Sequence, residues 1–220
     1  MMPLGLALLA NLWIYKILFA NFFLGALVVL STIFLKKNFN LLLLTFIPIF
    51  LFQIVTTQKS SLTEIANDDR RLIDLRLRAY PSKYLRVGHW LEERKESIAG
   101  TRIIRNLFEN LDPNLYFFAG SPRQRVGIKE FEKFPYVFLP FFLIGFVTIL
   151  DLKDKNKILF ISLLIPLLLL SIIGNQNKLG PFSLFPFMVL TISSGLKKIN
   201  KFLVVILVLV LAQMVIYETY

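Results

Sequence analysis

Long uncharged apolar runs alternate with short lysine-rich breaks along this chain, and a polar stretch interrupts them once in the middle. A helix rises about 1.5 Å per residue, so about 20 apolar residues cross a hydrocarbon core of roughly 30 Å. Five runs approach that length: Asn38 to Thr57, Phe134 to Leu150, Ile158 to Gly174, Leu179 to Leu196 and Phe202 to Tyr217. Several are about 17 residues, which suits spans that are little tilted or shielded by their own loops. Ahead of them, Met1 to Leu35 is interrupted only by Asn11, Lys16 and Asn21. That stretch is too long for one straight span and short for two. We read Tyr15 to Leu35 as the span and Pro3 to Trp13 as a short interfacial helix. The alternative is a tight helical hairpin breaking near Asn11 to Asn21. No charged start or small-residue cleavage site marks a signal peptide, so the first apolar segment is expected to stay in the membrane.

The polar middle reads as helical. Ser61 and Glu64 have capping-box spacing, and Leu62, Ile65, Ala66, Ile73, Leu77 and Tyr80 recur at three- and four-residue steps up to Pro81. A second helix is expected from about Trp90 to Leu111, with Ile98, Ile104, Phe108 and Leu111 on one side and Glu92, Glu93, Arg94, Lys95 and Glu96 as a solvated charged face. Asp112-Pro113 ends it. Leu115 to Phe118 is aromatic, and the turn-rich basic loop Gly120 to Gly127 follows. Phe117 and Phe118 are expected in the lipid headgroup layer, with Arg123 and Arg125 at phosphate height. The predicted fold class is therefore all-α. It is a polytopic transmembrane helix bundle of about six spans with a helical segment on the membrane surface. Residues 1–57 hold the N-terminal spans, 58–133 the extracytoplasmic segment and 134–220 a four-span bundle.

Composition agrees with that pattern: 56% of the 220 residues are hydrophobic and 18% charged, with a mean hydropathy of +0.66. An ordinary cytosolic globule is nearer half apolar and a quarter charged. The chain has no cysteine and one histidine, His89, which excludes disulfide scaffolds, thiol chemistry, iron–sulfur clusters and multi-histidine metal sites. No metal and no cofactor is expected. A net charge of +11 invites a nucleic-acid partner, but lysines flanking the spans explain it better, so membrane lipids are the expected contact. Lys36 and Lys37, then Lys153, Lys155 and Lys157, then Lys197, Lys198 and Lys201 fall on alternate loops, against Lys178 alone in the short loop opposite. Lysine retention in the cytoplasm places residues 58–133 outside a bacterial cell membrane. Lys16, the one charge far from a span end, is expected to snorkel. Asn11, Asn21, Gln213, Ser193 and Ser194 are expected to hydrogen-bond between helices.

The stretch LDPNLYFFAGSPRQRVGIKEFEKFPYVFLPFFLIG sets an aspartate-proline turn before an aromatic pair and a glycine. Basic residues, a second glycine and an acid-aromatic-proline opening of a span follow. With Pro166 central in one span, and Pro181 and Pro186 opening another, the pattern from Asn106 to Leu196 resembles the C-terminal membrane half of GT-C-type, protein-mannosyltransferase-like bacterial glycosyltransferases. That resemblance implies transfer of a sugar from a polyprenyl-phosphate donor on the outer face. In such enzymes the catalytic acid sits in the external loop after the first span, a part that only Gln58 to Pro81 can play here. Asp69, on the stripe of Ile65 and Ile73, and its neighbour Asp68 are then the candidate general bases. Arg123 and Arg125 are the candidate phosphate clamp. Each has a plainer reading: Asp69 paired with Arg70 or Arg76, and the two arginines meeting phospholipid headgroups. The rival to an enzyme is a non-catalytic membrane scaffold or a partner subunit of another membrane protein.

Overall fold

In a computed structural model, the structure describes residues 2–35, 39–57, 67–118, 130–150, 154–174 and 176–198, and in the last segment 205, 206, 208–210, 212 and 213. Side chains are described from residues 45, 70 and 160 onward in the helices that begin at 39, 67 and 154. All regular structure among the described residues is helical, as the pattern predicts.

The N-terminal stretch forms three helices rather than one span and a preceding helix: α1 (Met2–Leu9), α2 (Leu12–Ala20) and α3 (Phe22–Phe34). The two asparagines cause the breaks. Asn11 is extended and fully buried; its Oδ1 accepts from Ile14 N at 2.9 Å. Its Nδ2 donates to the carbonyls of Ala7 and Leu8, so one side chain caps the end of α1 and the start of α2. Asn21 repeats the device, accepting from Leu24 N at 3.1 Å. A short amide that satisfies free backbone groups competes with helix continuation, and without water it is the available substitute. Both asparagines thus act as local caps rather than as the expected bonds between helices. Beyond Asn21 the chain doubles back, bringing Leu18 against Gly25: a Cβ there would lie 3.0 Å from the Leu18 Cα.

Helix α4 (Phe39–Thr56) packs on α3. The polar middle follows as α5 (Asn67–Ala79), a single 3₁₀ turn, α6 (Leu85–Glu92), α7 (Lys95–Leu111) and the one-turn α8 (Asn114–Phe117). The expected Trp90–Leu111 helix is broken at Glu93–Arg94, where Arg94 is extended (φ −70°, ψ 139°). Neighbouring charges there take different partners. Glu92 reaches back to Arg76 at 3.3 Å, Glu93 meets His89 at 3.0 Å, and Arg94 lies over the Trp90 ring. The predicted cap at Ser61 and Glu64 lies outside the described residues.

The C-terminal part comprises α9 (Leu139–Leu150), α10 (Asp154–Ile173) and α11 (Phe185–Lys198). Helix α11 is the centre of the fold, buried at nearly every position from Phe185 to Leu196 and packed by α1, α3, α9 and α10. Against α9 it comes to backbone contact. A Cβ on Gly145 would strike the Thr191 carbonyl and one on Gly195 the Phe141 carbonyl, and Thr148 Oγ1 lies 3.3 Å from Ser194 Oγ. Small residues at a crossing let apolar helices gain dispersion contact along the backbone itself. Outside this group, α7 lies on α10, with Asn106 Nδ2 donating to Ser171 O at 3.1 Å.

The outside of the bundle is apolar: Phe19 is 90% exposed, with Phe22, Phe23, Val55 and Val147 also in the open. Among the described residues no single helix is long and apolar enough to cross a membrane. Pro3–Leu9 and Leu12–Ala20, bent by 57°, pass together on length and composition, and Phe22–Phe34, Thr45–Thr56, Tyr136–Ile149 and Phe160–Ile173 are shorter apolar helices.

Alanine is the better helix former by about 1 kcal/mol, so Gly145→Ala and Gly195→Ala test the backbone contact against propensity. Both are expected to lower the thermal midpoint in detergent by an amount worth about 1–3 kcal/mol. Gly100→Ala, with nothing within 4 Å of its Cβ, should hold or raise it.

Candidate functional site

Asp68 and Asp69 fall in the first turn of α5. Their side chains, and Arg123 and Arg125 entirely, lie outside the described residues. Helical register sets Asp69 three and four residues ahead of Leu72 and Ile73, and both of these line a cleft between α5 and α7.

The cleft has a volume of about 150 Å³ and is walled by Leu72, Ile73 and Arg76 of α5, Glu92 of α6, and Ser97, Ile98, Thr101, Arg102 and Arg105 of α7. Positions 98, 101, 102 and 105 share one face of a 3.6-residue helix. The sequence stripe through Ile98 therefore leads into the arginines, while Ile104, Phe108 and Leu111, assigned to the same side, are exposed at 56%, 64% and 43%. Arg76 pairs with Glu92, which also accepts from the Tyr80 hydroxyl at 3.5 Å, and Arg105 Nε lies 3.9 Å from Glu109. Three guanidinium groups, the Glu92 carboxylate paired with one of them, two hydroxyls and an aliphatic wall line the cleft; its cations outnumber its acid, which suits an anionic group joined to an apolar one. Guanidinium forks match phosphate and carboxylate oxygens two at a time. The signal for Arg102 and Arg105 was their spacing from Ile98, masked by reading the apolar positions alone.

A second polar centre is buried. Lys133 has no exposed side-chain surface, yet its Nζ donates to Leu115 O at 2.7 Å and to Glu130 Oε2 at 3.1 Å. The Phe131 and Trp13 rings lie 4.9 and 5.9 Å from the same nitrogen. The backbone is stitched beside it: Lys133 N and Phe134 N both donate to Tyr116 O, and Trp13 N donates to Lys133 O. Trp13 in turn packs edge-on against Phe134 and Phe185 and sends Nε1 to Leu179 O at 2.6 Å. The aromatic stretch expected in the headgroup layer therefore divides. Leu115, Tyr116 and Phe117 are core residues and Phe118 alone is substantially exposed: Tyr116 O accepts from both Lys133 N and Phe134 N, where the chain bends over this stretch. Lys16 is exposed, with its ammonium 3.7 Å above the Phe131 ring, the geometry of a cation–π contact at a surface.

Glu132 is also buried, and accepts from Tyr136 N at 3.1 Å and from the Gln213 side-chain amide. Gln213 also accepts from Val137 N, so it does bond between helices. Burial pushes the Glu132 carboxyl up to about 6, against the lowering effect of the Tyr136 amide. Two more side chains close this end of the bundle. Gln53 accepts from Ser183 N and donates to Gly180 O, and Asn177 donates to Thr56 Oγ1.

Removing the ammonium in Lys133→Met leaves Glu130 buried with its charge and should cost about 3–5 kcal/mol. Lys133→Met with Glu130→Leu should regain much of it, read as thermal midpoints in detergent. Glu132 keeps its proton to higher pH when folded than its ordinary value of 4.5 allows. Stability from this group is therefore full below about pH 4.5 and falls as pH rises through 6, by on the order of 2 kcal/mol. Glu132→Gln should flatten that part of a melting-temperature profile, and an unchanged slope would assign it elsewhere. No protein-family model, no curated protein and no solved structure matches this chain, so the functional reading rests on its own residues.

Proposed function

We propose that this is a multi-pass membrane protein related to GT-C glycosyltransferases, which engages a lipid-linked phosphate on the outer face of a cell membrane and transfers its sugar. The apolar exterior of the helices supports the membrane part, since large exposed apolar surfaces suit lipid rather than water. The joining of residues that the lysine pattern assigns to one side supports that grouping of the span ends: Trp13 with Leu179, Gln53 with Gly180 and Ser183, and Asn177 with Thr56.

One observation carries the proposal. Arg76, Arg102 and Arg105 line a single cleft with Ser97 and Thr101, and α5 carries Asp69 one helical turn away. In the transfer, a carboxylate of Asp69 or Asp68 takes the proton of an acceptor hydroxyl. The freed oxygen bonds to the sugar's anomeric carbon as the bond from that carbon to the phosphate oxygen breaks. The departing phosphate keeps the electron pair, and arginines of the cleft, with Arg123 and Arg125, hold its charge.

Reconstituted protein given a polyprenyl-phosphate sugar and a hydroxyl acceptor tests this. Asp69→Asn or Asp68→Asn should lower transfer about 10²–10⁴-fold, the usual worth of a positioned base, with melting unchanged. Arg102→Gln should weaken donor binding. Transfer intact in the double aspartate variant would discard the site, and no transfer by the wild-type protein would favour the non-catalytic partner-subunit role.

A further inference from the structure

Helix α6 is exposed in an unusual way. Of its eight residues only Gly88 is buried, held under Tyr80, where a Cβ would lie 3.0 Å from the ring. Leu85, Val87, Trp90 and Leu91 are 40–53% exposed, as is Tyr84 just before them. Cations are interleaved with these side chains. Lys83 lies near the Tyr84 ring, Arg86 is exposed, and the Arg94 guanidinium sits 4.3 Å over the Trp90 ring. Between Pro81 and Lys95 there are four basic residues and two acids, and both acids are already engaged within the protein, Glu92 by Arg76 and Glu93 by His89.

We infer that α6 is a membrane-contact helix, its aromatic and aliphatic side chains set into the headgroup layer of an anionic bilayer with Lys83, Arg86 and Arg94 among the lipid phosphates. The inference rests on the membrane reading above and adds to it the element that makes the contact and the lipid charge it prefers. Three features select lipid over a protein partner. An eight-residue helix is about 12 Å long, too short a face for a stable protein interface of about 800 Å² per partner. A second copy would bring arginines and lysines against their own kind. Tryptophan and tyrosine flanked by three cations match the boundary between headgroups and hydrocarbon, whereas the Phe19, Phe22 and Phe23 surface has only Lys16 near it, whose ammonium lies over the Phe131 ring. The inference also moves the expected headgroup contact from Phe117, which is in the core, to Trp90.

The chain has two tryptophans, of which Trp13 is fully buried, so the emission of the full-length protein in nanodiscs less that of Trp90→Phe reports Trp90. Phosphatidylcholine discs with and without phosphatidylglycerol are compared, using bromine-labelled lipid as a quencher in the bilayer and acrylamide as a quencher in water. Brominated lipid should remove most of the emission that Trp90→Phe lacks, more strongly with phosphatidylglycerol present, and Lys83→Gln, Arg86→Gln and Arg94→Gln together should abolish the dependence on lipid charge. Trp90 open to acrylamide and untouched by brominated lipid would overturn the inference. Shielding from both quenchers would also overturn it, by showing a protein surface over α6. Alkaline carbonate extraction of cell membranes reads the embedding separately. Protein retained in the membrane with Trp90 in water refutes only the role of α6, while extracted protein refutes the embedding itself.

Discussion

An ammonium group with no water around it sets the terms for one end of this fold. Moving such a charge out of water costs several kcal/mol even after relaxation, and the cost is met only if every surrounding group is held in place. Lys133 meets it with the Leu115 carbonyl, the Glu130 carboxylate and the faces of Phe131 and Trp13. Those partners come from α8, the segment leading into α9, and α2. Trp13 passes the constraint on to the chain before α11 through its bond to Leu179. Parts of the chain more than a hundred residues apart are thereby fixed relative to a single nitrogen.

The same scarcity of water explains the elbows and crossings elsewhere. Asn11 satisfies three backbone groups of two helices at once, where a surface helix would leave them to solvent. Gly145 and Gly195 solve the complementary problem. Close backbone approach at their crossing adds dispersion contact along the main chains of α9 and α11. Gln53 and Gln213 each use both ends of an amide to join separate elements. A few polar side chains thus direct a packing whose bulk is leucine, isoleucine and phenylalanine.

The middle segment follows other rules because it keeps its charges. Its arginines are sorted by helix face. Those at 76, 102 and 105 turn into the cleft, and those at 86 and 94 turn outward beside exposed apolar side chains. The break at Glu93–Arg94 makes the sorting possible, since one continuous helix would hold α6 and α7 to a common axis. The segment therefore keeps three guanidinium groups in the cleft, beside Glu92, and leaves two outside next to exposed aromatic and aliphatic side chains.

Helical class, both limits of α4, the C-terminal limits of α9, α10 and α11 to within two residues, the stops at Pro81 and Asp112-Pro113 and the apolar exterior were legible from residue order, because run length and proline geometry act locally; the starts of α9, α10 and α11 lie four to six residues from those expected. So was the weakness at Asn11 and Asn21, although that each would end a helix depended on the free backbone groups beside it. The Lys133–Glu130 pair was not legible. Three residues apart before a span, they look like ordinary boundary charges, and only Leu115, Phe131 and Trp13 closing over them bury both. The cleft escaped for a related reason. Arg102 and Arg105 carry no mark of their own until α5 is laid against α7, and Phe117 reads as a headgroup residue until Phe134 and Phe142 pack against it. Periodicity tells which residues share a face of one helix; which face is covered, and therefore which charge is stripped of water, is decided by where the other helices settle.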